Sequence, residues 1–149
     1  MTDVESIRAA LIVGAIAGVV LSLVAFLLSR FVGDIVGRAL LATVLFTAAG
    51  AYFGFAVVAP VSRIWLLIEF LQCFAFGTMA LVGWRGSAKW LALGLALHPV
   101  WDFGVHYIGP ANFAPRAYAI ACISLDWVVA AYILIRYRGA TALTPSPAR

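Results

Sequence analysis

Apolar positions run almost without interruption in five blocks of this chain: Ala9–Leu28, Ala39–Ala59, Ile64–Val82, Trp90–Ile108 and Ala117–Ile135. Each block is long enough to cross ~30 Å of hydrocarbon as an α-helix rising ~1.5 Å per residue. A transmembrane β-barrel would instead alternate apolar and polar side chains over ~10-residue strands. The pattern therefore predicts an all-α integral membrane bundle of five transmembrane helices. Short connections leave one membrane domain over residues 1–149 and no soluble module. The end, Thr141–Arg149, carries Pro145 and Pro147 and reads as a disordered tail.

Composition agrees with this picture: 65% hydrophobic and 11% charged residues, with a mean hydropathy of +1.07, leave too few charges to cover a soluble surface. Asp3 and Glu5 with only Arg8 precede the first block, and no small-residue cleavage site follows it. That block is expected to stay as an anchor rather than be removed as a signal peptide. Basic residues are scattered singly and form no patch, which argues against nucleic acid as a partner. They bear on topology instead. Arg30, Arg38, Arg85, Lys89, Arg136, Arg138 and Arg149 fall on one side of the five-span pattern, and Arg8, Arg63 and Arg116 on the other. The bias favours a cytoplasmic C-terminus and an outward N-terminus. Trp65, Trp84, Trp90 and Tyr137 fall near the expected boundaries, where amphipathic rings prefer the headgroup level.

Against this apolar background the polar residues stand out. His98, Asp102 and His106 recur every fourth position in the fourth block, so on an α-helix they form one stripe within about 80°. Both histidines of the chain are in it. Glu69 in the third block and Asp126 in the fifth are the other interior acids, and ionisable groups at bilayer depth are costly enough to read as functional. Depths counted along the helices pair Glu69 with Asp102 and His98 with Asp126. Glu69, His98, Asp102 and Asp126 are expected to converge on one interior cluster, with Trp101 as a wall. Gln72, Cys73, Phe76 and Ala80 share the Glu69 face, and Ala119, Cys122 and Ala130 share the Asp126 face. Pro99 removes a backbone donor beside His98 and predicts a kink there. The first two blocks offer no interior acid or imidazole but carry Gly14-x-x-x-Gly18 and Gly50-x-x-x-Gly54, spacings that permit close packing.

Three uses of this constellation compete. Imidazole and carboxylate suit a divalent metal such as zinc, with a subset of His98, Asp102, His106, Glu69 and Asp126 as ligands. His98 and His106 lie ~12 Å apart along an α-helix axis, too far to share one ion. The same five residues serve acid–base chemistry without metal if His and Asp, packed together, exchange protons. A structural role, fixing the bundle by polar contacts, is the third. No Walker loop, G-x-G-x-x-G, H-E-x-x-H, C-x-x-C or serine-nucleophile motif is present, and Cys73 and Cys122 have neither zinc-finger nor disulfide spacing.

The run Leu97-His-Pro-Val-Trp-Asp-Phe-Gly-Val-His106, followed by Pro110, Cys122-x-x-x-Asp126 and Tyr132, resembles small bacterial multi-pass membrane proteins of unknown function with an H-x-x-W-D-x-x-x-H signature. The likeness covers the C-terminal third. It implies the bacterial inner membrane as location and His98, Trp101, Asp102, His106 and Asp126 as signature positions, and it brings no activity. At the level of architecture the pattern is also similar to sterol-isomerase-like five-helix enzymes, without aligned motifs. The leading expectation is a small membrane-embedded enzyme, metal-dependent or acid–base, acting on a lipid-like or apolar molecule. The alternatives are a proton- or ion-coupled carrier, which would favour a homo-oligomer, and an accessory subunit of a membrane complex.

Overall fold

The computed structural model describes residues 3–138, so the tail expected at 141–149 and Arg149 lie outside the described residues. Five α-helices form in chain order: α1 (Asp3–Phe31), α2 (Asp34–Val58), α3 (Arg63–Arg85), α4 (Lys89–Trp101) and α5 (Arg116–Arg136). A π-helix over Asp102–Tyr107 continues α4 directly. The described residues hold no strand, as the continuous apolar blocks require.

Four of the helices, α1, α2, α3 and α5, are individually long and apolar enough to cross a membrane. The fourth expected span, Trp90–Ile108, is not one α-helix. Pro99 cannot donate to Leu95, and the amide of Asp102 is shared between the carbonyls of His98 and Pro99. Beyond that point the ladder loosens, with Ile108 N–H donating to the Phe103 carbonyl and Ala111 N–H to Val105. The Ala96 carbonyl, near the proline, also accepts from the indole of Trp127 at 3.3 Å.

The helices pack as a ring in which α1 lies against α5 and α2, α2 against α3, α3 against α4, and α4 against α5. Gly14 and Gly18 make the α1–α5 contact: a Cβ at Gly14 would strike the Ala121 carbonyl and the Ser124 hydroxyl, and one at Gly18 would lie 2.8 Å from the Leu125 carbonyl. Gly50-x-x-x-Gly54 plays no such part, since a Cβ at Gly54 would meet nothing within 4 Å. Outside the ring the side chains are apolar and exposed, among them Ile12, Val13, Ile16, Phe74, Val100 and Ile135, as expected where hydrocarbon rather than water is the solvent.

One end of the ring is latched. Here Arg136 pairs with Asp34 at 3.2 Å, and Ser29 and Tyr137 share a hydrogen bond of 3.3 Å. Arg38, 1% exposed, donates to the Gly86 carbonyl at 2.7 Å with its guanidinium 4.7 Å over the Tyr137 ring. Alternation of the helices also brings Arg30, Arg85, Lys89 and Arg138 to this basic end, and Arg8, Arg63 and Arg116 to the opposite one. Leu41, Leu45, Leu91, Leu95, Val129 and Ile133 fill the half of the interior towards the basic end. The polar residues occupy the other half.

Candidate functional site

All five singled-out residues are interior: Glu69, His98, Asp102 and Asp126 are fully buried and His106 is 2% exposed. They form two adjoining units rather than one. In the deeper unit, His98 Nδ1 lies 2.8 Å from Asp126 Oδ2 and 3.5 Å from Asp102 Oδ2. One ligand-type atom from each of His98, Asp102 and Asp126 can be chosen so that all three lie within 4.8 Å of one another. In the shallower unit, His106 Nε2 is 3.1 Å from Glu69 Oε1. His98 thus pairs with Asp126 as expected, whereas Glu69 is paired with His106 rather than with Asp102. The wider turn of the π-helix is the local reason that His106 no longer follows α-helical geometry.

Local sequence explains how each group is carried. Glu69, Gln72, Phe76, Ala80 and Gly83 make the buried stripe of α3 at helical spacing, so Glu69 can only point inward. Gln72 donates to Glu69 Oε2 at 3.2 Å and to the Ala49 carbonyl at 3.1 Å, which fixes the carboxyl against α2. On α5 the small Ala119, Cys122 and Ala130 share the inner face with Asp126 and leave room for it. Cys73 is half-buried, and Trp101 packs at the edge of the apolar core with its indole nitrogen buried and without a hydrogen-bond partner among the described residues.

The hydrogen bonds place protons. A carbonyl only accepts, so His106 Nδ1, 3.1 Å from the Ala111 carbonyl, carries hydrogen. The Nε2–Glu69 approach is at ion-pair distance but without hydrogen-bond alignment, so both atoms lack a hydrogen-bond partner among the described residues. The His98–Asp126 hydrogen bond needs a proton unless a cation takes its place. Around it His98 Nε2, both Asp102 oxygens and Asp126 Oδ1 are buried and have no hydrogen-bond partner among the described residues. Four orphaned polar atoms at one point are unusual, because buried polar atoms are nearly always satisfied.

Two parts of the site were not expected from the sequence. Tyr52 of α2 is fully buried, stacks on His106 with ring centres 4.3 Å apart, approaches His98 at 5.6 Å, and sets its hydroxyl beside Asp102 without hydrogen-bond alignment. It lies on the buried stripe Leu41, Leu45, Ala48, Ala49, Tyr52, Ala56, a periodicity that could have revealed it. The loop after the π-helix also covers the site: Ala111 and Ala114 are buried, and the Phe113 ring packs edge-on to His106 at 5.1 Å. Beside that loop, Ala59–Ser62, Trp65 and Pro110–Phe113 line an open cleft of about 410 Å³.

Residues 13–141 match the model of a family of unknown function, DUF6010, and the chain belongs to that family. The match takes in every residue of both polar units, and membership agrees with the resemblance to a family without an assigned activity. No curated protein and no solved structure matches the chain.

Proposed function

We propose, for this member of a family without an assigned activity, that the chain is a small membrane-embedded enzyme. In this reading His98, Asp102 and Asp126 hold one divalent first-row metal ion, zinc being a good match, and act on a lipid-like substrate. The observation that carries it is the gathering of one imidazole and two carboxylates with four orphaned polar atoms. Charge supports it as well. With Glu69 and His106 counted as a charge-balanced ion pair, two ionised aspartates leave the polar half of the interior at minus two, and a divalent ion brings that half to zero. Two ligands ~2.1 Å from a tetrahedral ion sit ~3.4 Å apart, close to the 3.5 Å between His98 and Asp102. The 2.8 Å His98–Asp126 contact would lengthen by about 0.6 Å as its proton is displaced.

Within this site the ion would polarise a substrate oxygen or a bound water. Tyr52, beside Asp102, is placed to donate a hydrogen bond to a group bound there, and Glu69–His106 is placed to exchange protons towards the opposite end. A carrier fits less well, because Leu41, Leu45, Leu91 and Leu95 plug the half of the bundle towards the basic end. The resemblance implies a bacterial inner membrane, and in this reading the basic-residue bias puts the basic end on the cytoplasmic side, with the site towards the outer half of the bilayer.

Elemental analysis of detergent-purified protein is expected to find close to one equivalent of a first-row metal per chain. Asp102→Asn and Asp126→Asn preserve side-chain volume, and both should lose the metal while eluting as the same monodisperse species. Equal metal in wild type and both variants, or none in wild type after supplementation, would contradict the reading.

A further inference from the structure

We infer that the crevice between α2 and α5 holds the hydrocarbon chain of a membrane lipid and presents that lipid sideways to the His98–Asp102–Asp126 site. This deepens the proposed enzyme reading by naming the substrate class and its route. The crevice has a volume of about 290 Å³ and is walled by Thr47 and Ala48 of α2 and by Tyr118, Cys122 and Leu125 of α5. It exists because α2 and α5 touch only sparingly, their ends being tied at the basic end through α1 and the Arg136–Asp34 pair.

Three observations identify the occupant. Cys122 lies six residues beyond Arg116 in α5, ~9 Å along the helix at ~1.5 Å per residue, so the crevice opens at a depth where the surrounding medium is acyl chain and not water. Its floor is built of small side chains: Ala48 and Cys122 are both buried, and larger residues there would fill it. The third is Thr47. Thr43 and Thr78 satisfy their hydroxyls on the carbonyls of Ala39 and Phe74 one turn back, the usual resort of threonine in an apolar helix. Thr47 makes no hydrogen bond among the described residues, yet together with Thr43 it lines a crevice whose accessible surface is almost wholly apolar, as an acyl chain requires.

Continuity with the site makes the crevice an entrance. The Tyr118 hydroxyl lies against the Cys122 thiol, and its ring is 5.6 Å from that of Tyr52. Tyr52 in turn stacks on His106 and borders Asp102, so Tyr118 and, behind it, Tyr52 stand between the crevice and the candidate metal ligands. Displacement of both rings would join the two.

The full chain, reconstituted with a phosphatidylcholine carrying a diazirine midway along one acyl chain, should give photoadducts on Thr47, Tyr118 and Leu125. Peptide mass spectrometry should find them about tenfold above adducts on Ile16 and Val20, which are also exposed, the ratio set by a preference near 1.4 kcal/mol. Leu125→Trp, or Ala48→Phe from the other wall if the first variant misfolds, should bring the labelling down to the α1 level. Even labelling over both faces, or crevice adducts unchanged in a folded filled variant, would overturn the inference. Metal content read on the same samples separates the two claims. Full metal with even labelling sinks the crevice alone, whereas crevice adducts that vanish on filling, in protein whose wild type takes up no metal, support the lipid site and overturn the metal reading.

Discussion

Replacing Gly14 by alanine tests how the scaffold holds α5, and with it Asp126, in place. The added Cβ collides with the Ala121 carbonyl and the Ser124 hydroxyl, and backbone cannot give way as a flexible side-chain tip does. Overpacking of this kind costs ~1–3 kcal/mol. Separation of α1 from α5 also strains the Ser124 hydrogen bond to the Leu11 carbonyl, 2.8 Å long and worth ~0.6 kcal/mol in a membrane interior. Against these stands the better helix propensity of alanine, ~0.8–1.0 kcal/mol. The net loss comes to roughly 0.5–3 kcal/mol, or about 2–4 °C in Tm for each kcal/mol. Gly54→Ala meets nothing within 4 Å and keeps only the propensity gain, so it should be neutral or stabilising by up to ~1 kcal/mol. Thermal unfolding of both variants in one detergent, followed by size-exclusion fluorescence, reads the difference in sign. If Gly14→Ala melts at or above the wild-type temperature, or Gly54→Ala falls with it, the assignment of α1–α5 packing to the first glycine pair is wrong.

Arg38→Gln should lose about 1–3 kcal/mol, because it removes a short charged hydrogen bond to Gly86 and the stacking on Tyr137 while leaving the metal content unchanged; loss of metal without loss of Tm would contradict the latch role. Metal uptake should release protons from the His98–Asp126 contact, so apparent affinity falls as pH falls. Zinc titrations by calorimetry in two buffers of different ionisation enthalpy would show it, and buffer-independent heats would count against His98 and the aspartates as ligands. A reporter fused after Arg149 should read cytoplasmic and one at the N-terminus external, and the reverse pattern would move the site to the inner half of the bilayer.

How far the sequence reaches depends on what each feature rests on. Block length and continuity are enough to make the helices, and the stripe around Glu69 is readable because α3 is a regular α-helix from end to end. The same periodicity places Tyr52 inside, although a lone phenol in an alanine-rich helix gives no sign of partnering His106. Arg38 looks like a topology marker in sequence and is in fact buried, because its partners, Gly86 and Tyr137, are brought to it only by the closed ring. The fourth span marks the limit most clearly. Pro99 announces a disturbance, but whether the chain answers with a kink or with a wider turn depends on which neighbours take up the freed carbonyls. That choice moves His106 onto Glu69 and leaves His98 alone with two aspartates. Equivalent glycine spacings likewise diverge, since a small residue matters only where another backbone approaches it.

The central claim is that one imidazole and two carboxylates hold a metal inside the membrane. X-ray absorption at the metal edge of the purified, metal-loaded protein tests it most directly. The account requires a first shell of nitrogen and oxygen alone at ~2.0–2.2 Å, with an outer-shell signal of a single imidazole that disappears in His98→Gln. A sulfur scatterer at ~2.3 Å would bring Cys122 into the site, and two imidazoles would bring in His106; either result would contradict the three-residue centre drawn from the structure.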